Sequence, residues 1–471
     1  MATHGIVAYG AYIPRWRLNR SSISDFTLGG LGSGSRAVAS FDENTTTMGV
    51  EASRIALSGY SEKINPNSLW FSTVSPAYMD KTNAANIHSA LNFDDDVSTM
   101  DYGTSVHSAL GAFRNALEKE TQTLLVTSDI RIGPSGSSEE SLGGDASTAL
   151  ITGTDENGLL LAEYLGGVSF TADFLDRWRS PENRYSQTWE ERFGESVYKP
   201  VVLKAWERAL ELTGIRIEEI DQTIITGLHS RAVTRTAPEL NVQVKDDLVD
   251  VIGNSGAAHP SVLICDYLDK AKPEKVFALL VLADGCDVFF FRTTENLKKR
   301  KSSRPISEQI ENQLVIPYSK YLSWRGLLEN QLPNRPAPNR PSAAASHRRS
   351  KWKMGFFGSK DLTTGIIHMP PSRIGIKGGV IDDMEIEPMS AATGTIETFT
   401  TDHLVYSPNS PVIFAVVNFE GGGRIPIELT DTEPDKVKIG DHVEMTFRCL
   451  YTSEGIQNYF WKAKPYEFVR G

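Results

Sequence analysis

Short apolar runs that alternate with helical stretches constrain this chain more than any other feature. TLLVTSDI (123–130), ALITG (149–153), TIITG (223–227) and VFALLVLA (276–283) each have the length of one buried strand. Between such runs lie stretches with helical spacing, among them MGVEASRIAL (48–57), NAANIHSAL (83–91) and YKPVVLKAWERALELTG (198–214). Strands alternating with helices bury a sheet on both faces, so this part reads as an α/β layered fold. GIVAYGAYIP (5–14) opens it as a strand ending at Pro14, and SLWFSTVSPAYMDKT (68–82) is a strand running into a loop.

The pattern breaks after residue 295. LKKRKSSRPISEQ (297–309) and NQLPNRPAPNRPSAAASHRRS (330–350) are rich in Pro, Ser, Asn and Arg, the composition of a semi-rigid linker. Between them IPYSKYLSWRGLLEN (316–330) has the spacing of a docking helix with aromatics Tyr318, Tyr321 and Trp324. From residue 352 the runs become short strands with Gly-rich turns: GTIETFTT, VIFAVVNFEGGGRIPIELT, DHVEMTFRCLY and IQNYFWKAKP. Closely spaced strands of this kind predict a small all-β barrel. A chain of 471 residues exceeds one hydrophobic core, and the expected division is 1–296, a linker over 297–351, and 352–471.

A net charge of −11 argues against nucleic acid as a partner, because phosphate contacts need a surplus of Lys and Arg. No run approaches the roughly 20 apolar residues of a membrane-spanning helix, and MATHGIVAYG lacks the features of a secretory leader. The expectation is a cytoplasmic protein with no membrane partner. Cys265, Cys286 and Cys449 are too scattered for a disulfide framework and read as small buried hydrophobes.

The stretch with the most chemistry in it is DYGTSVHSAL (101–110). It opens an apolar-periodic run, so a tight turn delivers residues 104 to 107 to a helix N-terminus, where amides and the macrodipole favour a thiolate or oxyanion. The residue pointing out there is Val106, between Ser105 and His107. Valine cannot attack a thioester.

Over residues 1–295 several stretches resemble, in order and spacing, the 3-hydroxy-3-methylglutaryl-CoA (HMG-CoA) synthase-like branch of the thiolase superfamily. DYGTSVHSAL resembles that branch's nucleophile turn, in which the place of Val106 normally holds cysteine. GGDASTALITG (143–153) is similar to its Gly-Asp-Gly-Ala-rich strand turn, GNSGAAHP (253–260) to the loop carrying its active-site asparagine, and ADGCDVFFFR (283–292) to its closing strand. The resemblance implies a thiolase-like α/β/α/β/α domain of two similar halves, one ending near residue 165 and the other starting near 200. It also implies coenzyme A thioesters as ligands, dimers or larger oligomers, and a partner thiolase.

The C-terminal phrases NFEGGGR, IGDHVEMTFR and NYFWKAKP resemble the acyl-CoA-associated zinc-ribbon and OB-fold domain. That family brackets a Pro-Pro turn, here Pro370-Pro371, with two CxxC pairs. The matching positions read Asp361, Thr364, Gly375 and Gly378, so no zinc is expected.

In the synthase branch a cysteine is acylated, a glutamate moves protons and a histidine orients the second substrate. Val106 vacates the first role, and Pro76 stands where the resemblance puts the glutamate. His229 in TGLHSRA and Asn254 in GNSGAA match the remaining polar positions and could polarise a thioester carbonyl. As purely structural residues they would be a surface-loop histidine and a turn asparagine satisfying its own backbone. Tyr78, Tyr102 and His107 are further acid/base candidates, and each tyrosine can equally be a packed aromatic. Two functions follow. One is an enzyme, acyltransferase or lyase, that makes or breaks a C–C bond beside a CoA thioester without an acyl-cysteine. The other is a non-catalytic scaffold that binds acyl-CoA or channels it to a partner thiolase.

Overall fold

The computed structural model describes residues 2–27, 32–58, 64–156, 158–300 and 303–466. They form two compact units that are not consecutive in the chain. The first holds 1–39, 52–84 and 95–318, and the second holds 40–51, 85–94 and 319–471.

The first unit is built on nine strands: β1 (His4–Tyr12), β2 (Ser68–Ser72), β3 (Ser98–Tyr102), β4 (Thr123–Asp129), β5 (Ala146–Thr154), β6 (Ala162–Thr171), β7 (Ile220–Gly227), β8 (Val276–Leu282) and β9 (Gly285–Thr293). Their hydrogen-bonded order is β7-β8-β9-β6-β1-β5-β4-β2-β3. Parallel pairs stand at both ends, β3-β2-β4 on one side and β7-β8 on the other. Each parallel set then turns antiparallel toward the centre, through β5 and β1 or through β9 and β6. The pattern is therefore stated twice, as expected. The second statement begins at β6, near residue 162 rather than 200, because the irregular stretch after β6 masks the join in sequence.

Two helices are buried on most sides. In α1 (Val106–Glu118) the residues Val106, Ala109, Leu110, Ala112, Phe113, Ala116 and Leu117 are buried. In α4 (His259–Lys270) every residue from His259 to Leu268 is buried. Helices apolar on most of their circumference form an inner layer. Their core is shared with the sheet, where Phe113 lies 5.3 Å from Phe289 and 5.9 Å from Phe291 between ring centroids. On the other sheet face α2 (Glu191–Thr213) packs Trp206 against Phe290. The shorter α3 (Ser230–Thr236) follows β7. The expected helix over 198–214 starts seven residues earlier, at Glu191, since Pro200 is carried inside it.

In the second unit β10 (Thr393–Asp402), β11 (Val412–Phe419), β12 (Arg424–Leu429), β13 (His442–Ser453) and β14 (Ile456–Pro465) close a barrel in the order β10-β11-β12-β14-β13. Its interior is filled by residues such as Val417, Phe447 and Trp461. The β11–β12 turn carries Gly421, Gly422 and Gly423 at φ of 88°, 115° and 92°, a run only glycine tolerates cheaply.

Charges are buried beside this barrel in complementary sets. Lys462 Nζ lies 3.0 Å from Asp42 Oδ2 and 2.8 Å from Glu428 Oε2. Arg448 pairs with Glu43 and, at 2.6 Å, with Asp431. Thr430 donates to Asp42 at 2.9 Å, and the Phe447 amide donates to Glu51 at 3.0 Å. Burial would raise the Asp42 carboxyl, but Lys462 and Arg448 hold it below the usual aspartate value. These acids belong to the segment 40–51, which explains why it is grouped with the barrel.

At the zinc-ribbon-like positions, Asp361 Oδ1 accepts the amides of Thr363 and Thr364 at 2.8 and 2.9 Å. A Cβ at Gly375 would overlap the other Asp361 oxygen. One carboxylate closed by its own turn, a threonine and two glycines do not fit zinc, which takes four N or S ligands in structural sites. No group of three or more His, Cys, Asp or Glu among the described residues could hold a metal.

Candidate active site

Strand β3 ends at Tyr102, and a turn of three residues leads into α1. Ser105 is the N-cap, its hydroxyl accepting the Ser108 amide at 3.3 Å, so Val106 is the first helical residue, 7 % exposed. The sequence-predicted geometry is present, with an alkyl side chain in the nucleophile's place. His107 turns away. Its Nδ1 is 3.0 Å from the Ala283 carbonyl and 3.4 Å from Asp287, which also holds Arg114 at 2.9 Å. It therefore ties α1 to the end of β8 and to β9, and it is not among the cavity-lining residues.

Two cavities adjoin here. The larger, about 570 Å³, is lined by Val106, Tyr102, Tyr78, Pro76, Val74 and Tyr198 among others. The smaller, about 360 Å³, is lined by Asn254, His229, Glu139 and Arg231 among others. Arg131, Asp176, Arg177 and Leu228 line both. The structure thus brings Tyr78 and Tyr102 to one side of a common wall and Asn254 and His229 to the other.

Asn254 is occupied by its own loop: Oδ1 accepts the Gly256 amide at 2.9 Å and Nδ2 donates to the Gly227 carbonyl at 3.0 Å. His229 caps α3, with Nδ1 accepting the Ala232 amide at 3.0 Å. That bond fixes the proton on Nε2, which faces Gly194, where a Cβ would overlap the ring. Both residues remain on the cavity wall, and both have the structural duty that turn and cap residues carry.

Two buried aspartates hold the loops in register. Asp129 accepts the Val74 amide at 2.8 Å, the Thr73 hydroxyl at 2.9 Å and the Ala257 amide at 2.7 Å. It joins the loop bearing Pro76 and Tyr78 to the loop bearing Asn254. Gly256, at φ 58°, passes so close that a Cβ would overlap the carboxylate. Asp145, from the GGDAST turn, accepts the Arg131 and Ala39 amides at 2.9 and 2.8 Å, and Gly144 donates to the Asn254 carbonyl at 2.9 Å. The two glycine-rich motifs are therefore neighbours.

The walls of the two cavities carry groups that the motifs did not point to. Glu139 bridges Arg177 and Arg131, and although burial would raise it, Arg177 holds it below the usual glutamate range. Burial lowers Arg131, and the nearby Arg177 adds to this. Asp176 is half-buried and bonded to the Tyr198 hydroxyl; burial raises its carboxyl, while His229 and Tyr198 act the other way. Tyr198 is buried, its hydroxyl raised by burial and by Asp176 and Asp284. Asp176 sits in the irregular stretch after β6, which has no periodicity, and Tyr198 reads in sequence as an ordinary core aromatic of α2. Cys265 and Cys286 line neither cavity, and burial pushes both thiols up, away from reactivity.

Residues 387–448 match the family described as ChsH2, C-terminal OB-fold domain. A hydroxymethylglutaryl-CoA synthase from Caldivirga maquilingensis is 27% identical over 349 residues, covering 69% of this chain and 98% of the relative. One from Thermococcus gammatolerans is 25% identical over 341 residues, with 68% and 95% covered. Among solved structures, MvaS in complex with 3-hydroxy-3-methylglutaryl coenzyme A superposes with a TM-score of 0.59 at 17% identity, covering 73% of this chain and 95% of that one. HMG-CoA synthase complexed with CoA gives 0.58 at 15% identity, with 72% and 94% covered. OleA from Xanthomonas campestris gives 0.53 at 18% identity, with 62% and 98% covered. No helix among the described residues is long and apolar enough to cross a membrane. The chain is thus similar to HMG-CoA synthases over nearly their full length, has their thiolase-like fold, and carries a C-terminal OB-fold domain.

Proposed function

We propose that this protein acts in the cytoplasm on acyl-CoA, making or breaking a C–C bond beside the thioester without an acyl-cysteine intermediate. The observation that carries this reading is Val106 on the wall of a cavity of about 570 Å³ that keeps polar groups around it. A covalent route needs a low-pKa thiol at that helix start, and the two cysteines of the first unit are buried elsewhere. Similarity to HMG-CoA synthases over nearly their full length supports a CoA thioester as the ligand. The loop that the resemblance credits with a glutamate offers Val74, Pro76 and Tyr78 to the cavity, none of them a carboxylate.

The engagement of Asn254 and His229 by backbone amides favours the second reading, an acyl-CoA-binding scaffold for a partner thiolase. The edge strand β3, with Met100 49 % exposed, is the surface through which we expect a second copy to pair. Incubation with acetyl-CoA followed by intact-mass measurement should leave the protein unacylated. Turnover of 3-hydroxyacyl-CoA to a shorter acyl-CoA supports the enzyme, and tight binding without turnover supports the scaffold. A stable adduct on Cys265 or Cys286 would overturn both.

A further inference from the structure

We propose that Asp176 is the catalytic base of this site, and that the substrate class it selects is a 3-hydroxyacyl-CoA undergoing retro-aldol cleavage. The inference rests on the enzyme reading above and supplies the carboxylate which that reading lacked. Asp176 is the one carboxylate that lines both cavities. The other acids on these walls are committed or exposed. Glu139 is held by two arginines, Asp101 accepts the Ala84 amide at 2.8 Å, and Asp247 accepts the Val249 amide at 3.1 Å. Glu191 and Asp284 are solvent-exposed.

The groups facing Asp176 suit a base. Tyr198, from α2, donates its hydroxyl, and its ring packs 5.7 Å from that of His229 at the start of α3. Arg131 and Arg177 share the wall, with Glu139 between them. Tyr198 stays neutral, since burial and the two aspartates raise it, so it orients the carboxylate and does not compete for the proton. Burial disfavours the charged carboxylate, with the Asp284 charge adding to it, and this outweighs His229, Tyr198 and a backbone amide, which favour the charged form; Asp176 is thereby a better proton acceptor than an exposed aspartate.

In the forward step the 3-hydroxyl proton passes to Asp176 and the oxygen's electron pair forms the new C=O. The bond between carbons 2 and 3 breaks, and its electrons enter the thioester enolate. Asp176 returns the proton to carbon 2, giving a shorter acyl-CoA and a ketone or aldehyde. No oxidant or covalent enzyme intermediate is needed. By microscopic reversibility the same carboxylate removes a carbon-2 proton from acetyl-CoA.

That half-reaction is the test. Acetyl-CoA is incubated with the full chain in D2O and deuterium at carbon 2 is followed by NMR, with binding measured separately by calorimetry. The wild type should exchange, and Asp176→Asn should exchange at least about 100-fold more slowly while binding acetyl-CoA within about threefold of wild type. Asp176→Glu should recover part of the rate. Tyr198→Phe, which removes a hydrogen bond to the charged form, should move the acid limb of the rate profile to higher pH, a shift that a merely structural role would not cause. Equal exchange by wild type and Asp176→Asn would overturn the assignment and leave the enzyme reading standing. Binding without exchange by the wild type, or no binding at all, would overturn both.

Discussion

The cavity wall of the first unit and the charge network of the second treat buried ions in opposite ways. Around the barrel two buried cations each meet two carboxylates: Lys462 has Asp42 and Glu428, and Arg448 has Glu43 and Asp431. On the cavity walls one carboxylate, Glu139, is shared by two arginines, and Asp176 has no arginine or lysine of its own but a nearby imidazole, a tyrosine hydroxyl and a backbone amide, with Asp284 close by. Saturated pairing is what a network needs when its task is to hold elements together, because an uncompensated buried charge is strongly destabilising. Unsaturated pairing leaves groups able to respond to a ligand.

The largest expected effect follows from breaking the saturated side. Asp42→Asn removes one of two counter-charges from Lys462 and should cost the second unit about 3–5 kcal/mol, read by denaturant unfolding or hydrogen exchange in the barrel strands. Acetyl-CoA binding should be unchanged. The same pairing sets an acid limit. Asp42 is held low in the folded state, so the stability it adds is present above roughly pH 4 and is lost as pH falls through the depressed folded value. A loss under about 1 kcal/mol for Asp42→Asn would mean the network is not what holds segment 40–51.

Much of the first unit was legible because periodicity and motif order are local. The start of α1 and seven of the nine sheet strands follow from short stretches, whereas β3 and β6 lack a clear apolar run and the meeting of GGDAST with GNSGAA appears only in the fold. The charge network was not legible, because Asp42 and Thr430 are 388 residues apart and nothing in FDEN names its partners. At the site, turn chemistry gave Asn254 as a residue that can bond its own loop, as it does to the Gly256 amide, but not that its Nδ2 reaches the Gly227 carbonyl. His107 reads as a site residue by adjacency to Val106, yet the β8 end and β9 supply an acceptor on the other side. Asp176 lies in a stretch without periodicity, so only the fold reveals it.

A smaller effect is expected from altering the cavity. Val106→Cys puts a thiol at a capped helix start, where its pKa should fall, so acetyl-CoA should leave an acyl adduct visible by intact mass. Condensation of acetyl-CoA with acetoacetyl-CoA should stay at background, since roles that act as a unit are not restored singly. Adding Pro76→Glu, on the same cavity wall, is the sharper version of the test. Stability should change little in either variant, in contrast to Asp42→Asn. Condensation by the single variant at ordinary enzyme rates would mean that a base on this wall already serves the new thiol, and Asp176, which lines the same cavity, would be the first residue to remove, with Tyr78 next.

The smallest effect is expected from metal removal. Asp361 closes its turn with two amides, so a chelator should leave unfolding of the second unit unchanged and elemental analysis should find no stoichiometric zinc. One tightly bound equivalent would show that the ribbon positions have been misaligned.

The placement of segment 40–51 also has a consequence in time. Asp42, Glu43 and Glu51 leave the ribosome long before Arg448 and Lys462. At about 5–20 residues per second, the 388 residues between Asp42 and Thr430 take roughly 20 to 80 seconds to synthesise. Through that interval the acidic segment is without these two cations. The nascent chain therefore has a vulnerable stage that the finished protein does not, and its yield in the cell should depend on chaperone supply more than its final stability would suggest.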